Sequence, residues 1–213
     1  MCRLCAFFNS SLGKKYLVGA AGFLLSAFVL VHLAENLLIF AGERYFNAYA
    51  TTLESLPILP LLEWGLFAVF FLHIVVSLWA RVQNKQARPV GYEVYQDKGG
   101  RTIGSKTMLW TALLVLAFLF VHVKTVRFGD MSDGVYKLLV GLFRSPLYLG
   151  FYLVALWALA LHLSHGVQSM FQTFGINHPK YTRAIKGLSK VFGFVIASGF
   201  SAIAIYLHMQ GAR

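Results

Sequence analysis

The sequence predicts an all-α integral membrane bundle of five transmembrane helices, with residues 1–213 forming a single domain. Three observations predict it. The chain is 58% hydrophobic and only 13% charged, and it carries 19 Phe, 10 Tyr and 4 Trp, well away from the balance of ordinary soluble domains. Five apolar stretches, at about 16–40, 60–81, 106–127, 146–172 and 188–209, each supply the roughly 20 residues that cross about 30 Å of hydrocarbon as a helix. The charged stretches between them leave no room for a separate soluble domain.

The first stretch reads as a retained helix. Lys14 and Lys15 precede an apolar run too long for a signal-peptide core, and no small-residue cleavage site follows. Ahead of it, Cys2 and Cys5 form a lone CxxC. Without a second pair this reads as two reduced thiols near the membrane surface, neither a metal site nor a structural disulfide.

Charge orients the five helices. Of the 19 Lys and Arg residues, 13 fall on the N-terminal side of the bundle: Arg3, Lys14, Lys15, Arg81, Lys85, Arg88, Lys98, Arg101, Lys106, Lys180, Arg183, Lys186 and Lys190. The opposite side has 6, namely Arg44, Lys124, Arg127, Lys137, Arg144 and Arg213. The positive-inside rule then predicts a cytoplasmic N-terminus and a C-terminus outside. The net charge of +11 sits on the ends of membrane helices, so it points to anionic lipid headgroups or an acidic soluble partner and away from nucleic acid.

Four apolar helices each hold a histidine: His32, His73, His122 and His162. An intramembrane imidazole is costly, and the usual reason to keep one is a bound group. One such residue alone is often a hydrogen-bonded structural histidine, but four at matched depths are harder to explain that way. At about 1.5 Å of rise per residue, His32 and His122 reach one level toward the outer side, while His73 and His162 share a level toward the inner side. Two pairs of imidazoles at two depths are what two six-coordinate b haems require. Both axial positions would be filled, so such a centre moves electrons and leaves no open site for oxygen or substrate.

Gly19, Gly22, Ala27 and Gly166 would let a porphyrin, or simply another helix, approach closely. His165 lies three residues from His162 and on the same helical face, so one of the two faces the iron and the other contacts a propionate or a neighbouring helix. His178 and His208 read as solvent or interface residues, in a loop and at a helix end.

On these residues the chain resembles the di-haem, five-helix cytochrome b membrane-anchor subunit of succinate dehydrogenase and quinol:fumarate reductase. The carriers are Val31-His32-Leu33 with Asn36, Leu72-His73, Val121-His122 and the run LHLSHGVQSMFQTFGI at 161–176. The ligand spacings of 41, 49 and 40 residues also suit the family, and the resemblance covers nearly the whole chain. In family members the first histidine of the 161–176 run aligns with the axial ligand, which assigns that role to His162 and leaves His165 beside it.

The resemblance implies partners: an iron–sulfur subunit and, through it, a flavoprotein subunit where succinate and fumarate interconvert. The basic loops 81–106 and 173–190 are the expected docking surface. The chain has no dinucleotide fingerprint and no cluster-binding cysteine set, so FAD and iron–sulfur clusters belong to those partner subunits. A dimer of heterotrimers stays open at this stage.

The resemblance also implies a quinone site, with menaquinone or menaquinol as substrate. Glu54 lies 22 residues beyond His32, a spacing that resembles the family's acidic residue at the quinol-oxidation site. Glu63 is the competitor, and it reads equally as an interfacial carboxylate at a helix N-terminus, where negative charge is favoured. Glu35 lies one turn from His32 and is placed to support the outer haem's ligand. Some family members carry a glutamate two residues before the fourth ligand, suited to a compensating proton path; here that position is Ala160.

Three other readings compete. A cytochrome b subunit of a membrane hydrogenase or formate dehydrogenase would also hold two haems, and its copurifying partners would differ. A di-iron oxygenase or desaturase needs dense histidine clusters at one level, which this chain lacks. A haem-free transporter or anchor predicts a colourless protein, and transporters tend to show internal repeats, of which the sequence has none that is convincing.

Overall fold

The computed structural model describes residues 7–87 and 102–212, and these are all-helical without strands. The Cys2–Cys5 pair, Arg3, Arg88, Lys98, Arg101, Arg213 and most of the first basic loop lie outside the described residues.

Helix α1 spans Ser11–Asn36 and tightens into a 3₁₀ turn over Leu37–Ala41; α2 is Glu43–Glu54 and α3 is Leu59–Gln86. Helix α4 spans Ile103–His122 and passes into a π-helical turn over Val123–Arg127; α5 is Val135–Phe143, α6 is Pro146–Thr173 and α7 is Pro179–Gly211. The five long helices are long and apolar enough to cross a membrane, as the sequence predicts. The short helices α2 and α5 were not anticipated. They cap the face on which α1 and α4 end, and Asn47 of α2 accepts a hydrogen bond from the backbone N–H of Tyr136 in α5 at 3.0 Å. Gly42 and Gly134 precede them at φ of 97° and 91°, a region open to glycine and strained for other residues.

Local chemistry explains where the long helices start. Ser145 accepts from the Tyr148 N–H and Thr102 from the Ser105 N–H, while Pro146 and Pro179 stand in first turns that need no donor. His178, expected as a solvent or interface residue, is an N-cap whose Nδ1 accepts from the Lys180 N–H at 3.2 Å. His208, expected likewise at a helix end, is an interface residue: its Nδ1 lies 2.8 Å from the Phe143 carbonyl oxygen, tying α7 to α5.

Helices α6 and α7 form the centre of the bundle, and α1, α4 and α5 pack around them. The best-buried cluster joins Leu33, Ile39, Phe46, Phe143, Tyr152 and Ile196, all 6% exposed or less. Helix α3 leans chiefly on α1. Its exposed Trp64, Phe67 and Phe71 form the lipid-facing surface of a membrane helix.

Small residues set the closest approaches. A Cβ on Gly193 would lie 2.5 Å from the Ala160 carbonyl oxygen, and one on Gly104 would lie 2.9 Å from the Leu161 carbonyl oxygen. Backbones therefore touch where α7 and α4 cross α6. Gly193→Ala is expected to cost about 1–3 kcal/mol by overpacking, read as a lower thermal transition of the detergent-solubilised protein. Gly166, with open space around a would-be Cβ, should accept alanine with no such loss.

Candidate functional site

Two pairs of imidazoles meet inside the bundle. The His32 and His122 rings have centroids 6.1 Å apart and cross at 81°. The His73 and His162 rings have centroids 6.4 Å apart and cross at 72°. His32 lies near the end of α1 and His122 ends α4, so the first pair sits toward the face capped by α2 and α5. His73 and His162 sit deeper, where α3 and α6 run back from that face.

The helices around each pair stand apart. Helix α1 scarcely packs against α4, nor α3 against α6, so within each pair the histidines are what bridges the two helices. Ring spacing supplies a fit test. A metal–imidazole bond of about 2.0 Å, with a little over 1 Å from ring nitrogen to ring centre on each side, puts two axial imidazoles about 6 Å apart by centroid. Both pairs match that distance and both are mostly shielded from solvent, so these residues fit a haem iron between each pair.

Each ring is held by neighbours. Phe28 stacks on His32 at 5.3 Å and 16°, with Phe200 at 5.7 Å. Phe118 stacks on His122 at 5.5 Å and 23°. Asn36 donates to the His32 carbonyl at 2.8 Å, with its Nδ2 3.4 Å from His32 Nδ1. At the other pair, a Cβ on Gly22 would lie 3.5 Å from His73 Cε1, so this glycine lets His73 rest against α1. Nδ1 of His162 and His165 is buried without a hydrogen-bond partner, while His73 faces the Val18 backbone.

The structure separates the two neighbouring histidines of α6. His162 meets His73, whereas His165 turns toward α4, with its Cβ 3.0 Å from the position of a Gly104 Cβ. Of the other small residues, Gly19 faces Phe174 at 3.5 Å, an ordinary helix contact, and Ala27 is exposed. Ala160 is buried beside the α7 backbone at Gly193, where a glutamate side chain has little room.

Among the described residues, the acidic side chains gather at the face of the His32–His122 pair. Arg127, at the end of the π turn, donates to both Glu63 oxygens at 2.7 and 3.2 Å, and Glu54 lies within its electrostatic reach. Glu35 lies within electrostatic reach of His32 and of the Tyr49 hydroxyl; burial first, and then this carboxylate, push the Tyr49 hydroxyl up to about 12. Sequence reasoning read Arg127 only as an outer-side charge and missed the hydroxyls of Tyr148 and Tyr152, since an apolar helix reads the same with phenylalanine in their place. The π turn itself gave no signal.

The sequence has a counterpart among known proteins. The chain is similar to the succinate dehydrogenase cytochrome b558 subunit of Bacillus subtilis (strain 168). The two are 24% identical over 187 residues, covering 84% of this chain and 87% of the relative. No family model matches the chain, and no solved structure matches it significantly. With five membrane-length helices and this bacterial relative, the chain is a multi-pass protein of the bacterial cytoplasmic (inner) membrane.

Proposed function

We propose that this chain is the membrane cytochrome b subunit of a succinate:quinone oxidoreductase, with one b haem held by His32 and His122 and a second by His73 and His162. The observation that carries the reading is the two imidazole pairs at two depths, each joining helices that otherwise scarcely touch. Likeness to a succinate dehydrogenase cytochrome b subunit over most of both chains supports it. A b haem held by two histidines would supply one-electron transfer and little else.

The chain's own residues do the remaining work. The four histidines fix iron positions, and the stacked Phe28 and Phe118 exclude water from the first pair. Glu54, with Glu63 and Arg127 beside it, takes protons from menaquinol at the outer face. Glu35 supports His32, and His165 lies beside the inner pair to meet a propionate or helix α4. The basic N-terminal side docks the iron–sulfur subunit and, through it, the flavoprotein. In this orientation charge moves across the membrane, coupling turnover to the potential at about 2.3 kcal/mol per charge per 100 mV.

The test is haem content on the purified complex. About two haem b per chain, copurifying with an iron–sulfur and a flavin-bearing subunit, is the expected result. A colourless preparation would overturn the cytochrome reading. Haems with a hydrogenase or molybdenum subunit in their company would instead assign the chain to a different respiratory complex.

A further inference from the structure

His122 differs from the other three candidate ligands in what its second ring nitrogen meets. Its Nδ1 lies 3.1 Å from the Tyr152 hydroxyl, which lies 2.7 Å from the Tyr148 hydroxyl. The Tyr148 hydroxyl in turn lies 2.7 Å from Thr125 Oγ1, and Thr125 Oγ1 donates to the Val121 carbonyl at 2.8 Å. Nδ1 of His162 has no partner, His73 faces the Val18 backbone and no hydroxyl, and His32 Nδ1 has only the Asn36 amide at 3.4 Å.

The last link sets the direction of the others. A carbonyl only accepts, and each hydroxyl has one proton. Thr125 spends its proton on Val121, so it must accept from Tyr148. Tyr148 must then accept from Tyr152, and Tyr152 from the His122 Nδ1–H. The opposite polarity would leave a threonine lone pair facing the Val121 oxygen at 2.8 Å. Nδ1 therefore carries the proton, and Nε2 keeps its lone pair for a metal.

Local structure holds this chain in place. Tyr152 is 6% exposed, and its ring is packed by Phe143 at 4.8 Å, Phe118 at 4.9 Å and Tyr148 at 4.5 Å. Thr125 sits inside the π turn, where the Phe128 N–H reaches back five residues to the Val123 carbonyl at 3.2 Å. Such turns recur at functional sites because the extra residue redirects side chains.

We propose that Tyr152, Tyr148 and Thr125 form a polarised hydroxyl relay that fixes the His122 tautomer and raises the electron-donating strength of its imidazole. This rests on the two-haem reading above. Tyr152 is a positioning residue: its hydroxyl accepts the Nδ1–H, which gives the ring more imidazolate character and favours the oxidised iron at that one pair.

The experiment is a redox titration of the whole purified complex, wild type against Tyr152→Phe and Thr125→Val, with electron paramagnetic resonance of the oxidised haems. Tyr152→Phe keeps the ring and its packing and removes only the hydroxyl. The expected result is a higher midpoint potential and a changed resonance signal for one haem, with the other unmoved. Thr125→Val should move the same haem in the same direction by less. Two haems with unchanged potentials in both variants, or both haems moving together, would overturn the relay while leaving the cytochrome reading intact. Should Tyr152→Phe lose that haem outright, Thr125→Val decides by the same criteria. Absence of haem from the wild type would instead refute the underlying reading.

Discussion

His32→Ala or His122→Ala is expected to remove one haem b per chain and leave the other, while His73→Ala or His162→Ala removes the second. The argument is geometric. Each pair joins two helices that are otherwise apart, with centroids at 6.1 and 6.4 Å, and alanine at either partner leaves an iron with a single protein ligand. Members of one pair act as a unit, so the double variant His32→Ala with His122→Ala should lose no more haem than either single change. Crossing the pairs, as in His32→Ala with His73→Ala, should remove both. His165→Ala should keep both haems, because the ring that pairs with His73 is that of His162. Haem quantified per chain, with reduced-minus-oxidised spectra, reads every case. Any His32 variant that loses the same spectral component as a His73 variant would refute the pairing.

Haem binding also bears on folding. Helices α3 and α4 bury little of themselves within the bundle, since 6% of each apolar window is shielded. Helix α4 is already held on α6 and α3 on α1, so what lies between the histidine pairs adds the ties from α4 to α1 and from α3 to α6, in the way metal ligation couples to folding elsewhere. Loss of one haem should loosen the corresponding helix, α4 for the His32–His122 pair and α3 for the other, measurable as faster proteolysis of its flanking loop.

Five spans and two depths of histidine were legible because both depend on length and period alone. Hydropathy fixes how many helices cross, and 1.5 Å of rise per residue fixes how deep each histidine lies. Helix ends were less legible, because hydropathy marks the apolar part of a helix rather than the helix. Helix α7 begins at Pro179, about nine residues before the apolar stretch expected from 188, and the His178-Pro179 start was the available signal. Helices α2 and α5 lie between spans and follow glycines with positive φ, a local choice that apolar periodicity does not record. The hydroxyl relay was illegible for another reason. His122 and Tyr152 are 30 residues apart, and only the packing of α4 on α6 brings them together.

Glu54→Gln is expected to lower quinol-linked turnover by about 10²-fold or more, the scale of a lost general base, with both haems retained. The structure divides the two carboxylates that the sequence offered. Glu63 is engaged by Arg127 through two hydrogen bonds, whereas Glu54 stands at the exposed end of α2 within reach of the same guanidinium. With both Glu63 oxygens occupied by the guanidinium, Glu54 is the carboxylate left open to a quinol hydroxyl. Glu63→Gln should therefore change turnover only a few-fold. Its side chain and that of Arg127 are 40% and 52% exposed, and exposed pairs contribute about 1 kcal/mol or less. Reduction of fumarate by an artificial donor that enters at the soluble subunits should be unaffected in both variants, which separates quinol chemistry from assembly. If Glu63→Gln were the slow variant and Glu54→Gln the near-normal one, the proton acceptor would be the arginine-bound carboxylate, and Arg127 would act by releasing it once quinol binds.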